Sequence, residues 1–467
     1  MTQGTHRFKE KREAILDGAA RLFNQHGIRG GTLADVARSV GLATNSITYY
    51  YRRKEDLACA CLQRAMDAMS QDAATAVALA NTLDERVRVF LSRYLGRLAD
   101  IAEGRHPELV VFSDLLTLAP PHDAQMAEAY TAMFRQVRAV LEAPDAPPLE
   151  RDALNARAHL LLSTASWARA WVHRFEPQDY PVVAARMADL LLEGLASATA
   201  RTQGTPAEGL VLALPVSAAG ALDDTATAYL RAATRLVNEH GYHGASVDRI
   251  AAELQLTKGS FYHHHETKED LIAACFTRTF AVVRAAQSEA LAMRGAQGQA
   301  LPGLDRLALA CRTLLDFQMG ELGPLLRITA WTALPEAIRR DTQRTMGRLG
   351  ERFASFVIDG MADGSVRVLD PSVAAQVING MINATAEMQR WARGLNAGNA
   401  FVLYTLPLFT GLRRAPPAAG TTHKAAETSG AAPVAQVSSA DILAALASSA
   451  RERLPPASQV RVRRKPS

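Results

Sequence analysis

Three consecutive histidines, His263, His264 and His265, stand between Lys258 and Glu266 in the stretch KGSFYHHHETKEDL. Imidazoles in a row suggest a metal site or acid–base chemistry, and both readings fail on geometry. Successive side chains on a helix splay by about 100°, so three neighbours cannot jointly ligate one ion. No carboxylate or nucleophile is spaced to orient an imidazole for proton transfer. No catalytic residue, metal or other cofactor is therefore expected. A second stretch, TNSITYYYRRKEDL, lies 214 residues earlier and ends in the same KEDL, with Tyr49, Tyr50 and Tyr51 at the histidine positions. Whatever these side chains do, a phenol ring can stand in the same place.

The two stretches belong to a longer repeat. Residues 24–62 lie on 238–276 without a gap, and Asn24, His26, Gly27, Ala37, Ser46, Lys54 and Cys61 each meet an identical partner. A period this long means two copies of a domain rather than a solenoid. The remainder of each half matches more loosely, with SWARAWVHRF from Ser166 echoed by EMQRWARGL from Glu387. Composition shifts place the boundaries. Residues 1–64 and 223–278 are read as two head domains, 65–200 and 279–414 as two helical bundles, and 201–222 as a linker. Residues 415–467 form a low-complexity segment with a basic end, expected to be disordered apart from a short helix at Ala440–Leu454.

Almost everything between the linkers reads as helix, so the fold class expected is all-α in two tandem units. Ile15, Ala19, Leu22 and Phe23 have the spacing of one buried helix face, and Tyr229, Ala233, Leu236 and Val237 repeat it. A net charge of +5 excludes a general coat for nucleic acid, so any such binding must come from local clusters. Four cysteines are too few for a disulfide framework and read as buried thiols. The opening MTQGTHRFKEKR is polar and basic, unlike a secretory leader, and no apolar run reaches roughly 18 residues. The expectation is a cytoplasmic protein with no membrane partner.

Within each head, Gly27 and Gly241 are placed to end the first helix by a left-handed cap. Thr32 and Asp35 then resemble a capping box, although Asp is shorter than the usual Glu or Gln. Gly41 follows a short apolar-faced helix, and Thr44 to Tyr50 begins another. Two short helices joined by a glycine turn suggest a helix-turn-helix, whose second helix enters the major groove of DNA.

The stretches REAILDGAARLFNQHG, TLADVARSVGL and YYYRRKEDL, with their counterparts YLRAATRLVNEHG, SVDRIAAELQL and TKGSFYHHHETKEDL, resemble the DNA-binding domain of the TetR (tetracycline repressor-like) family of bacterial transcriptional regulators. The resemblance implies that the aromatic or histidine triplet ends the recognition helix. One ring, Tyr51 or His265, packs inward, and Tyr49, Tyr50, His263 and His264 face phosphate. It implies DNA-facing roles for Thr32, Thr44, Asn45, Ser46 and Thr48 in the first head, and for Ser246, Thr257, Ser260 and Tyr262 in the second. Lys258 matches a phosphate-binding lysine, and Gly259 allows close backbone approach. Lys54 and Lys268 match a lysine that opens the fourth helix and meets the DNA backbone. It further implies small-molecule binding inside the bundles, with Phe112, Tyr130, Phe134 and Trp167, and Phe317, Trp331, Phe356 and Met388, as candidate lining residues. The last two helices of each half, about Asp152–Phe175 and Pro181–Ala200, with counterparts near Pro371–Leu395 and Asn399–Leu412, would pack as a four-helix interface. Pro407 is expected to kink the last.

The copies depart from one another. The first has Ala43, Thr44 and Asn45 where the second has Thr257, Lys258 and Gly259, so it lacks the lysine and the glycine. Arg52, Arg53 and the basic arm His6 to Arg12 are placed to compensate, the arm reaching phosphate or the minor groove. In the second copy Gln255 stands at the turn glycine, where a positive φ would cost roughly 1 kcal/mol or the turn must differ. The implied function is a ligand-responsive repressor. Its partners would be double-stranded operator DNA and a small-molecule effector, with two unlike heads brought together as an intramolecular pseudo-dimer. Further homodimerisation, presenting four heads, stays open. The alternative is a sensor or protein-interaction module whose first head no longer binds DNA.

Overall fold

The computed structural model describes residues 2–112, 115, 118–220, 224–255, 266–327, 336–388 and 394–416. The Ala440–Leu454 helix and the basic end expected from sequence lie outside them. The protein is all-α: among the described residues extended backbone pairs only in isolated bridges, such as Ala196 with Val366. No helix among them is long and apolar enough to cross a membrane.

The first half runs α1 (Thr2–Gly30), α2 (Leu33–Ser39), α3 (Thr44–Tyr50), α4 (Lys54–Leu79), α5 (Leu83–Ala102), α6 (His122–Val140), α7 (Arg151–Ala168) and α8 (Tyr180–Glu193). Short α9 (Ala198–Thr202) and α10 (Val216–Ala219) lie in the connection. The second half runs α11 (Thr225–Gly244), α12 (Val247–Glu253), α13 (Lys268–Ala292), α14 (Gly303–Met319), α15 (Glu336–Asp363), α16 (Pro371–Ala384) and α17 (Leu406–Thr410).

Local chemistry sets the ends of these helices. Thr32 Oγ1 accepts from the Asp35 N–H at 3.1 Å, and the Asp35 carboxylate accepts from the Thr32 N–H at 3.1 Å, so the short acid closes the capping box. Thr267 and Asp270 build the same box before α13. Gly27 (φ 72°, ψ 162°) and Gly241 (φ 69°, ψ 171°) have the positive φ expected of them, but neither ends the structure. The extended ψ re-aims the chain and another helical turn follows, which buries Ile28 in the first copy.

α4 packs against α1, α5 and α6, and α5 lies on α8. In the second half α13 packs against α11, α14 and α15, and α16 lies along α15. Ile15, Phe23, Leu57 and Phe90 share one continuous apolar core with Phe353, Ile378 and Phe409 from the second half. The second head has its own cluster around Tyr229, Ile250, Leu271 and Phe276, which reaches Leu326 and Leu349 of its bundle.

The halves meet where their last helices end. α7 stops at Ala168 rather than near Phe175, and α8 stops at Glu193 because Gly194 takes φ 73°. In the second half α16 stops at Ala384, followed by a 3₁₀ turn at Thr385–Glu387. A π-helical turn, Phe401–Thr405, leads into α17, where Pro407 falls in the first turn. The backbone is helical through both, so Pro407 lies inside a continuous run, and the irregularity it introduces is taken up by the wide turn before it. Gly411 (φ 96°) ends α17. Leu195 N donates to Leu408 O at 3.1 Å, and Leu412 N donates to Leu191 O at 2.9 Å. The residues of the first pair recur in the second, 217 positions on and with roles exchanged, as a two-fold axis requires. A Cβ on Gly194 would lie 2.4 Å from Phe409 O, and one on Gly380 would lie 2.8 Å from the Trp167 ring.

Polar groups lock the same junction. Arg157 is buried on α7 and donates to Leu412 O at 2.7 Å and to Arg414 O. His159, also buried, stacks on Tyr404 at 5.6 Å and places Nε2 2.9 Å from Ala384 O. A carbonyl only accepts, so this ring is the Nε2–H tautomer. Its Nδ1 is buried with no partner. Burial lowers its pKa, outweighing the Ala384 carbonyl and Glu387, which favour the charged form.

Two outcomes follow. Gly194→Ala should cost at least about 2 kcal/mol in urea unfolding, because a left-handed φ and a backbone clash coincide. The unfolded chain takes up protons at His159 before the folded chain does, so stability should fall as pH drops below about 6.5 toward the lower folded pKa. His159→Gln keeps a donor for Ala384 O but does not titrate. Urea midpoints at pH 7.5 and 5.5 should then differ less in the variant than in the parent.

Candidate nucleic-acid interface

In the first head the turn between α2 and α3 depends on Gly41 at φ 67°, whose absent Cβ would meet nothing within 4 Å. Glycine is needed there for its backbone freedom and not for space. The equivalent Gln255 adopts φ 57°, so a non-glycine residue bears the left-handed strain at that position. α3 buries Ile47 completely and turns Thr44, Asn45, Thr48 and Tyr49 outward, with Ser46 and Tyr50 half-buried. Tyr51 packs inward, and Tyr49 is 76% exposed.

Three candidate residues have part of their hydrogen-bonding capacity committed within the fold. The Thr32 hydroxyl both accepts from Asp35 N and donates to the Asp35 carboxylate at 2.6 Å. Ser246 Oγ accepts from Arg249 N at 3.2 Å. Thr48 Oγ1 donates to Asn45 O at 3.1 Å. Arg52 and Arg53 are exposed. Lys54 and Lys268 turn inward: Lys54 Nζ donates to Arg29 O at 3.1 Å, and Lys268 Nζ donates to Tyr242 O from 4.1 Å above the Tyr242 ring centroid. Each ammonium thus sits at the carbonyl end of its head's first helix, where the helix dipole favours a cation. Burial lowers the Lys268 pKa. Thr257, Lys258, Gly259, Ser260, Tyr262, His263, His264 and His265 lie outside the described residues.

Sequence reading missed Phe8. Its ring packs 4.7 Å from Tyr50 and 6.3 Å from Tyr49. His6 to Arg12 are the first turns of α1, so this basic segment is a rigid extension lying beside α3 and not an extended arm. The spacing of Phe8 to the buried Ile15 and Leu16, one helical face continued upstream, is the signal that could have shown it.

Both heads are tied to their bundles by the same device. Asn24 Nδ2 donates to Leu109 O at 2.9 Å, and Asn24 Oδ1 accepts from Val111 N at 2.9 Å. Asn238 repeats this with Leu325 O at 2.8 Å and Arg327 N at 3.0 Å. The loop so held is pinned in turn by an ion pair of opposite sense in each half: Glu108 with Arg169 just after α7, and Arg327 with Glu387 just after α16.

The loop of the second half walls a partly open pocket with Phe280, Met346, Leu349 and Phe353, and with the amides of Gln318 and Asn379. Sequence reading named none of these. Of its candidates, Phe317 lines a different space. Phe112 and Tyr130 stack edge to face at 5.5 Å, while Phe134, Trp167, Phe356 and Met388 are buried in the core. Trp331 lies outside the described residues. All four cysteines are buried free thiols, and burial pushes Cys61 up to about 12. No group of three potential metal ligands occurs among the described residues.

An all-α chain whose outward α3 follows a tight turn from α2 is a helix-turn-helix protein. The family profile described as bacterial regulatory proteins, tetR family, matches residues 15–61 and again 230–275, and one described as tetracyclin repressor-like, C-terminal domain, matches 300–391. The chain belongs to the tetR family. It is 38% identical over 47 residues to the transposon Tn10 TetC protein of Escherichia coli, spanning 10% of this chain and 24% of that one. It is 26% identical over 136 residues to the HTH-type transcriptional repressor DhaR of Mycobacterium sp. (strain GP1), spanning 29% of this chain and 66% of that one. The chain thus covers less than two thirds of either relative. A crystal structure of the TetR family transcriptional regulator PfmR from Thermus thermophilus is similar over 41% of this chain and all of its own length, at 24% identity and a TM-score of 0.33.

Asn238→Leu removes both hydrogen bonds to the bundle loop and leaves the Arg327 N–H without its acceptor. The cost should be about 1–3 kcal/mol. Amide exchange in α11 should accelerate while exchange in α7 stays as in the parent.

Proposed function

We propose that the chain is a ligand-responsive transcriptional repressor that binds operator DNA through two unlike heads supplied by one polypeptide. Residues 1–64 and 223–278 are the heads, 65–200 and 279–414 the effector and dimerisation bundles, 201–222 the linker and 415–467 an appended tail. The observation that carries the reading is the pair of exchanged hydrogen bonds at Leu191, Leu195, Leu408 and Leu412, which relates the halves as the subunits of a dimer are related. DhaR, whose name describes a transcriptional repressor, supports the regulatory role.

In the first head Thr44, Asn45 and Tyr49 meet base edges and phosphate from the exposed face of α3, with Ser46, Thr48 and Tyr50 beside them. Arg52 and Arg53 neutralise phosphate in place of the missing lysine, and Phe8 holds the basic start of α1 against the same side. In the second head Lys258 and Gly259 approach the backbone, with Thr257, Ser260, Tyr262, His263 and His264 at the groove. Thr32 and Ser246 present the start of the preceding helix to phosphate. Lys54 and Lys268 act chiefly by fixing the first helix, which aims the head.

Effector binding shifts a population. A molecule in the bundle cavity touches the Leu325–Arg327 loop that Asn238 holds, so the arrangement it prefers sets the position of the second head. Heads about 34–36 Å apart occupy successive major grooves, and other spacings release DNA.

Sedimentation of the full chain with the duplex upstream of its own gene should give one chain per specific duplex. Two chains would instead mean that the halves do not substitute for a dimer. Because the heads differ, selection from random DNA should return half-sites of unlike sequence, and a strict palindrome would contradict this. Replacing Arg52 and Arg53 with alanine should flatten the salt dependence of binding by about two phosphate contacts. If only Lys258→Ala weakens binding, the first head is a sensor or partner-binding module.

A further inference from the structure

The connection between the halves does more than span them. Leu210, Leu212 and Leu214 are half-buried while Val211 between them is 80% exposed, the alternation of an extended segment lying on an apolar surface. The surface beneath is α14. Between the two lies a space of about 560 Å³, walled by these leucines and by Leu309, Phe317 and Leu322. It is separate from the bundle cavity, which has none of these residues in its wall.

Two charges face this space from one side of α14. Arg312 is stacked 4.1 Å from the Phe401 ring centroid, and its Nε is buried with no hydrogen-bond partner. Asp316, one turn on and exposed, also lines it. The two feel each other's charge but are not ion-paired among the described residues, and Glu208 of the connection adds a second acid near Arg312. Thr313 is already spent, since its hydroxyl donates to Leu309 O at 2.8 Å.

We propose that the linker and α14 form a second small-molecule site, which takes an apolar molecule ending in a primary amide or lactam. The charges select that head group. A carboxylate would suit Arg312 but face Asp316, and an ammonium would suit Asp316 but face Arg312. An amide offers its carbonyl to the guanidinium and its N–H to the Asp316 carboxylate, about 6 Å along the helix. Hydrogen bonds to charged groups are the stronger ones, and the Arg312 guanidinium is partly buried. The apolar body lies under Leu210, Leu212 and Leu214. Arg312 stacks on Phe401, which begins the turn that packs on α7, so one side chain separates the site from the junction of the halves. The inference does not depend on DNA binding.

The test is calorimetric titration of the full chain with octanamide, octanoate and octylamine. Octanamide should bind at least about tenfold more tightly than either charged analogue. Arg312→Met, which keeps the stem and removes the guanidinium, should weaken it by about tenfold. Leu212→Trp, on the linker, should fill the site and abolish binding, whereas Leu349→Trp, in the bundle cavity, should leave it intact. Thermal unfolding of each variant establishes that it is folded. Equal binding of all three ligands, loss of binding in Leu349→Trp rather than Leu212→Trp, or no octanamide binding to its solubility limit would each overturn the proposal.

Discussion

Gly194 and Gly411 let the halves of this chain meet backbone to backbone, and the placement of everything else depends on that contact. Both take a positive φ, and a Cβ on either would lie within 2.5 Å of a main-chain atom across the junction. With the side chains removed, α8 and α17 end against one another and exchange the hydrogen bonds that their own last turns leave unused. The buried core then runs through both halves without a break.

Around this contact the symmetry is only approximate. Arg157 donates to the last carbonyls of the second half, and its equivalent in that half, Ala374, has no group to return the bond. His159 is stacked and bonded, with a neutral ring enforced by burial. The ion pairs that pin the head-holding loops have opposite sense, acid on the loop in one half and base on the loop in the other. Once two copies are joined in one chain, each position is free to specialise, because it no longer has to fit against itself across an exact axis. The heads show the same freedom. One has a rigid basic extension of α1, and the other begins at Asp224, which caps α11 instead.

A helix-turn-helix needs its recognition helix aimed more than it needs it strong, since α3 is only two turns long. Aim comes from outside the motif. Ile47 and Tyr51 anchor α3 in the head, the inward lysine fixes the end of α1, and the asparagine on α1 ties the head to the bundle loop. Each link is short and is either polar or packed.

Sequence alone determined what is local. The helical periodicity, the capping box of Thr32 and Asp35 and the glycine turn at Gly41 follow from residues a few positions apart, whereas the turn at Gln255 stayed open and the inward Tyr51 came from the family resemblance. The family resemblance rested on such residues and held for both heads. What the tertiary structure decided involves partners distant in sequence. The bonds of Lys54 and Lys268 to the carbonyls of Arg29 and Tyr242 could not be read from the sequence around either lysine. Phe8 read only as part of the basic arm His6 to Arg12, and its packing on Tyr49 and Tyr50 is a tertiary feature. Cavities cannot be seen in a string of apolar residues, because periodicity reports which face is buried and not whether the facing side chains fill the space. The physical reason is the same throughout: hydrogen-bond acceptors and packing surfaces are consumed by neighbours in space, and for these residues the neighbours lie tens to hundreds of positions away along the chain.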